Sequence, residues 1–150
     1  ARLAYTDELF SVPKNVYLIG TMNTADRSLS LVDYALRRRF AFLEIEPGFE
    51  KDSYSEHLAS YNFTQSKVSL IRQNMNGLNQ VIEEDHSLGR GYRIGHSFFT
   101  PTSNVDDFQK WYEEIVEYEI KPLLEEYWID EPEKARSETE SLLSQMDLAT

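Results

Sequence analysis

Between Gln65 and Asp85 the apolar residues Val68, Ile71, Met75, Leu78 and Ile82 fall three or four positions apart. That period sets them on one face of a helix of about five turns. A long helix with one apolar face must bury it, and here helical patterns surround it on both sides. "KDSYSEHLASYN" predicts a shorter helix before it. "VDDFQKWYEEIVEYEIKPLLEEYWI" predicts one after it, with Phe108, Trp111, Ile115 and Tyr118 as the stripe. Pro122 either kinks that helix or opens a new one. "EPEKARSETESLLSQM" predicts a last helix with Ala135, Thr139, Leu142 and Met146 on one side. Between the second and third of these, "LGRGYRIGHSFFTPTSN" reads as an irregular Gly-rich connection with a short element at 92–99. Residues 48–150 are therefore expected to form a helical bundle.

The first 47 residues have a different character. The run Val16 to Met22 is apolar with little alternation, which suits a strand buried on both faces of a parallel sheet. "DRSLSLVDYALRRR" follows as a helix, with Leu29, Val32, Ala35 and Leu36 at helical spacing and Ser28 or Ser30 as its cap. Phe40, Phe42, Leu43 and Ile45 give a second strand, ended by Pro47 and Gly48. Two strands joined by one crossover cannot bury both faces. The expected fold is thus mainly α with a small parallel β remnant, divided near Pro47 into segments 1–47 and 48–150.

Charge narrows the function. The 150 residues carry a formal net charge of −11, and residues 105–150 alone hold fourteen acidic and four basic side chains. A body this acidic is a poor non-specific binder of nucleic acid, which needs Lys and Arg on phosphate. No apolar run is long enough to span a bilayer. There are no cysteines, which excludes disulfides and thiolate metal sites and fits a reducing compartment such as the cytoplasm. "NFT" at 62–64 matches a glycosylation acceptor and is read as chance.

Against this background, four of the 15 basic residues fall within positions 27–39. "MNTADRS" ends the first predicted strand with Asn23, Asp26 and Arg27, at the sheet edge where α/β folds bind ligands. The same residues also fit a plain strand-to-helix turn with local backbone bonds. Arg37, Arg38 and Arg39 point about 100° apart on a helix, so they cannot all serve one site. Arg37 can pair with Asp33, four residues earlier. Favourable charge at a helix C-terminus explains one arginine easily and three less easily. "GRGYRIGHSFF" can deliver Arg90 or Arg93 to an anion, and is equally consistent with a simple turn. His57, His86 and His96 lack metal-ligand spacing. His96 is read as a satisfied structural histidine, and the acidic pairs such as Glu83 and Glu84 as solvated helix faces.

Together, "NVYLIGTMNTADRSLSLVDYALRRRFAFLEIEP", "GRGYRIGHSFF" and "EIVEYEIKPLLEEYW" resemble the McrB family, the AAA+ GTPase motors of modified-cytosine-dependent restriction systems. The resemblance covers about residues 12–130. It implies that residues 1–47 are the C-terminal portion of an AAA+ α/β core and 48–150 a helical lid. Asn23 would be the sensor-1 residue near the γ-phosphate. Asp26 and Arg27 would complete the signature loop, with Asp33 nearby. Arg38 and Arg39 resemble arginine fingers that act in trans on a neighbour's nucleotide. Arg93 resembles the sensor-2 residue of the lid, with Arg90 as its competitor. No GxxxxGK[ST] loop or acidic strand precedes Asn23, so the chain is expected to be the C-terminal part of a motor and inactive by itself. The implied cofactor of the whole motor is GTP or ATP with Mg, with none held tightly by this chain. The implied partners are further copies of the motor in a hexamer and a McrC-like endonuclease subunit, with DNA reached only through other domains. Two other readings remain: a non-enzymatic helical assembly module, and a MoxR-like remodelling ATPase.

Overall fold

The computed structural model describes residues 2–22 and 37–147. The chain divides into two compact units, Ala1–Leu31 and Val32–Thr150. In the first, Arg2 and Leu9 form an isolated antiparallel bridge closed by Leu3 N–H donating to Glu8 O at 2.9 Å. Asp7 turns the chain with φ 54° and pairs with Arg2 at 2.9 Å. Residues 16–22 carry no regular secondary structure, and Tyr17, Leu18 and Ile19 are exposed.

The second unit is helical: α1 (Asp52–Ser60), α2 (Gln65–Glu84), α3 (Phe108–Ile115), α4 (Lys121–Tyr127) and α5 (Pro132–Asp147). Short 3-10 turns occupy Arg90–Tyr92 and His96–Phe99, within the connection where a short element was expected. All five apolar residues predicted along α2 are buried, as are Ala135, Thr139, Leu142 and Met146 of α5. The α1–α2 corner follows from one residue. Asn62 takes the left-handed conformation at φ 63°. Asn62 N–H then reaches Ala59 O at 3.1 Å, and Phe63 N–H reaches Leu58 O at 3.2 Å. These two bonds satisfy orphan carbonyls of α1, and they turn Phe63 into the core. Thr64, the last residue of "NFT", caps α2 by accepting from Lys67 N–H.

Two expectations need correction. The predicted strands at 16–22 and 40–45 are not strands: neither segment joins a ladder, and Phe40, Phe42, Leu43 and Ile45 are exposed. A strand's backbone groups must pair with a neighbour, and among the described residues none is offered. The stripe of the third helix also shifts. Ile115 is buried and Phe108 and Trp111 are half-buried, but Tyr118 is 77% exposed, and the buried line continues through Val116, Ile120 and Leu124. The cause is a π-helical stretch, Val116–Ile120, between α3 and α4. Pro122, in the first turn of α4, cannot donate to the carbonyl of Tyr118. The wider turn absorbs that loss without breaking the helix, and it rotates Tyr118 out of the apolar face.

α5 packs against α4, the π-helical stretch and α2. Their junction is polar. Asp85, at the C-terminal end of α2, has a side chain 0% exposed and accepts from Trp128 Nε1 at 2.9 Å and from Ser87 N–H and Oγ at 2.7 and 2.6 Å. Lys134 of α5 closes an ion pair on Asp85 Oδ2, the oxygen that Trp128 also meets, and lies over the Trp128 ring at 4.8 Å. Donation from Lys134, then from Ser87, holds the Asp85 carboxyl well below the usual carboxylate range, against the opposing effect of burial.

Candidate functional site

The chain enters the helical body at Pro47–Phe49, and it does so through a fit that only glycine allows. Gly48 N–H donates to His96 Nδ1 at 2.9 Å, and a Cβ on Gly48 would lie 2.9 Å from His96 Cε1. The imidazole is packed edge-on against Tyr54 and Phe49. His96 is therefore the satisfied structural histidine expected. It fixes where residues 40–46 leave the body.

That fixed exit brings Glu44 and Glu46 to the Gly-rich connection. Gly89 takes φ 85°, opening the turn that presents Arg90, and Asn79 of α2 anchors its far end. Asn79 Nδ2 donates to Ile94 O at 2.9 Å, and its Oδ1 accepts from Ile94 N–H at 2.6 Å. Between these points Arg90 Nε sits 3.2 Å from Glu44 Oε1, and its Nη2 pairs with Glu46 Oε1. Arg93 Nη2 lies 3.8 Å from Glu44 and 4.0 Å from Glu46, and its Nη1 lies 3.5 Å from Glu83 of α2. Arg93 Nε donates to Arg90 O at 3.2 Å. The Arg93 side chain is 16% exposed, whereas Arg90 is half exposed.

The structure thus gathers the two candidate lid arginines on the same carboxylates, with Arg93 braced by α2 and Arg90 facing solvent. A pair of guanidinium groups presents ten N–H donors, the chemistry suited to phosphate or carboxylate. The carboxylates that meet them are the chain's own. Glu44 and Glu46 were not singled out by sequence reasoning. Their spacing of two, just before Pro47, was the available signal, and it was hidden inside an apolar run. Glu83, read as part of a solvated helix face, is instead the third carboxylate here.

Of the remaining sequence-predicted residues, Asn23, Asp26, Arg27 and Asp33 lie outside the described residues. Arg38 and Arg39 are exposed. Arg37 holds its guanidinium over the Phe42 ring, 5.8 Å from the centroid. Elsewhere a groove of about 660 Å³ runs between the Ser97–Asp107 segment and α3. Asp106, Asp107, Glu114 and Glu119 outnumber Lys110 on its walls, the wrong sign for a phosphate. Among the described residues no group of three His, Asp or Glu side chains is arranged to hold a metal ion, and no helix is long and apolar enough to cross a membrane.

The described residues of the second unit thus form a helical body with Arg90 and Arg93 gathered where the chain enters it. Residues 70–136 match the family model "McrB, alpha-helical lid domain", a stretch that runs from within α2 to the first turns of α5 and includes Arg90 and Arg93. Over 140 residues, 91% of this chain, the sequence is 49% identical to the Type IV methyl-directed restriction enzyme EcoKMcrB subunit of Escherichia coli strain K12. The chain spans about 30% of that relative's length. The chain belongs to the McrB type.

Proposed function

We propose that this chain supplies the sensor and lid elements of a GTP-hydrolysing AAA+ motor subunit in a modified-cytosine-dependent restriction system. The observation that carries the reading is the placement of Arg90 and Arg93 together at the entrance of a McrB-type lid. On this reading residues 1–47 belong to the nucleotide core. Asn23 positions the attacking water, Asp26, Arg27 and Asp33 shape the signature loop, and Arg93, with Arg90 beside it, meets the phosphates. Arg38 and Arg39 reach a neighbouring subunit's nucleotide. The nucleotide is GTP, with ATP as the alternative, and it carries Mg. The site residues of this chain fit its phosphates through Arg side chains, and the metal supplies charge neutralisation on the phosphate oxygens. The motor works in the cytoplasm as a hexamer with a McrC-like endonuclease subunit, and other domains touch DNA.

The test is turnover in a complete motor that contains this chain. Asn23→Ala should lower GTP turnover by about 10²- to 10³-fold, the usual cost of removing one oriented polar group from a reaction centre. Arg93→Ala should raise the GTP concentration needed for half-maximal rate. Unchanged turnover and affinity in both variants would overturn the reading.

A further inference from the structure

Arg90 and Arg93 cannot give the same donors to a phosphate and to Glu44 and Glu46. Among the described residues, the carboxylates paired with the two guanidiniums are those of Glu44, Glu46 and Glu83. Glu83 sits on α2, within the helical body. Glu44 and Glu46 lie on the approach to Pro47, outside that body, and both are more than half exposed. We propose that Glu44 and Glu46 are an internal counter-anion, a charge latch that occupies Arg90 and Arg93 until a nucleotide polyphosphate displaces it. The proposal rests on the reading that these arginines meet phosphate.

The construction suits release. Solvent-exposed carboxylate–guanidinium pairs are individually weak, so a multiply charged phosphate chain outcompetes them. Among the described residues, Arg93 alone of the two keeps partners through the exchange, because Glu83 and the Arg90 carbonyl stay in place. Arg93 therefore remains braced, and Arg90 is the member whose side chain swings. Losing the latch also unties residues 40–46 from the lid surface, while the Gly48–His96 contact still holds the chain at its point of entry. Phosphate binding and the position of the 40–46 segment are thereby linked, and linkage is reciprocal.

The test titrates inorganic tripolyphosphate into the 150-residue chain and follows the Nε resonances of Arg90 and Arg93 by NMR. In the wild type both should shift, at high tripolyphosphate concentration. In Glu44→Gln/Glu46→Gln the same shift should come at concentrations roughly 2- to 10-fold lower, the effect of removing two weak competing pairs. If the arginine resonances shift at equal concentrations in wild type and double glutamine variant, the latch is wrong while the phosphate reading stands. If neither arginine shifts in either protein, the phosphate reading fails and the latch with it. If the glutamine variant needs more tripolyphosphate than the wild type, the glutamates position the arginines rather than compete for them, and the latch is again overturned.

Discussion

Gly48 and Asp85 are the two positions where a single side chain decides most. Adding a methyl at Gly48 puts it 2.9 Å from a ring carbon of His96 in a site already filled by Phe49 and Tyr54. Either the ring or the backbone must move, and the 2.9 Å Gly48–His96 bond goes with it. Gly48→Ala should cost about 1–3 kcal/mol, read from urea unfolding. Asp85 gives a pH signature. Its folded carboxyl is depressed relative to the unfolded chain, so it contributes stability above the ordinary carboxylate pKa of about 3.9, and that contribution is lost as pH falls below it. Asp85→Asn should therefore be less stable than wild type at neutral pH, by about 3 kcal/mol for a broken buried pair. The gap should narrow as the pH falls from about 4 towards 2 in the same unfolding experiment. A constant gap would mean that the carboxylate charge is not what Lys134 and Trp128 hold. The sequence announced neither residue. Asp85 was not singled out, because its partners Trp128 and Lys134 are more than forty positions away, and Gly48 looked like an ordinary stop after Pro47.

Among the elements, α2 was legible because its period is long and uninterrupted, and the fold buries the face that the period defines. The third helix was legible in extent but not in face. Its stripe was read with a uniform helical period, and the π-helical turn before Pro122 changes that period within five residues. The strands at 16–22 and 40–45 failed for a different reason: strand formation is a property of a pair, and composition describes only one member. The Gly-rich connection was the hardest to read, since its shape depends on one side chain of α2. Asn79 makes two hydrogen bonds to the Ile94 backbone from a buried position. Asn79→Ala leaves both backbone groups of Ile94 without these partners, at a cost of about 1–3 kcal/mol for each. The loss should be local first: the Ile94 amide should exchange roughly ten times faster with deuterium or more, while α2 amides at Ile71 and Met75 keep their protection. Equal acceleration across α2 would show that Asn79 supports the whole body rather than the arginine turn.

At the scale of the whole molecule, an acidic chain concentrates arginines in two places, at 37–39 and at 90–93. The second group is occupied by glutamates, and the first differs along its length. Arg37 has a local role over Phe42, a contact worth about 0.5–1 kcal/mol at an exposed site. Arg38 and Arg39 are exposed, as residues that act on a neighbour must be before assembly. Arg37 is exposed as well, so it is its contact with Phe42 that, on the proposed reading, separates one expected structural member from two expected functional ones. In an assembled motor, Arg38→Ala or Arg39→Ala should cut GTP turnover by about 10³- to 10⁵-fold with nucleotide affinity little changed, because a finger stabilises charge that develops only in the transition state. Arg37→Ala should change turnover far less and lower stability slightly. Subunit mixing gives the sharper measurement. Subunits with an intact nucleotide site and Arg39→Ala are combined with subunits that keep Arg39 and lack a working P-loop. Interfaces that join the two good halves should recover activity in proportion to their statistical share. Intact assembly with no recovery would place Arg39 in its own subunit's chemistry, or at a helix terminus with no part in hydrolysis.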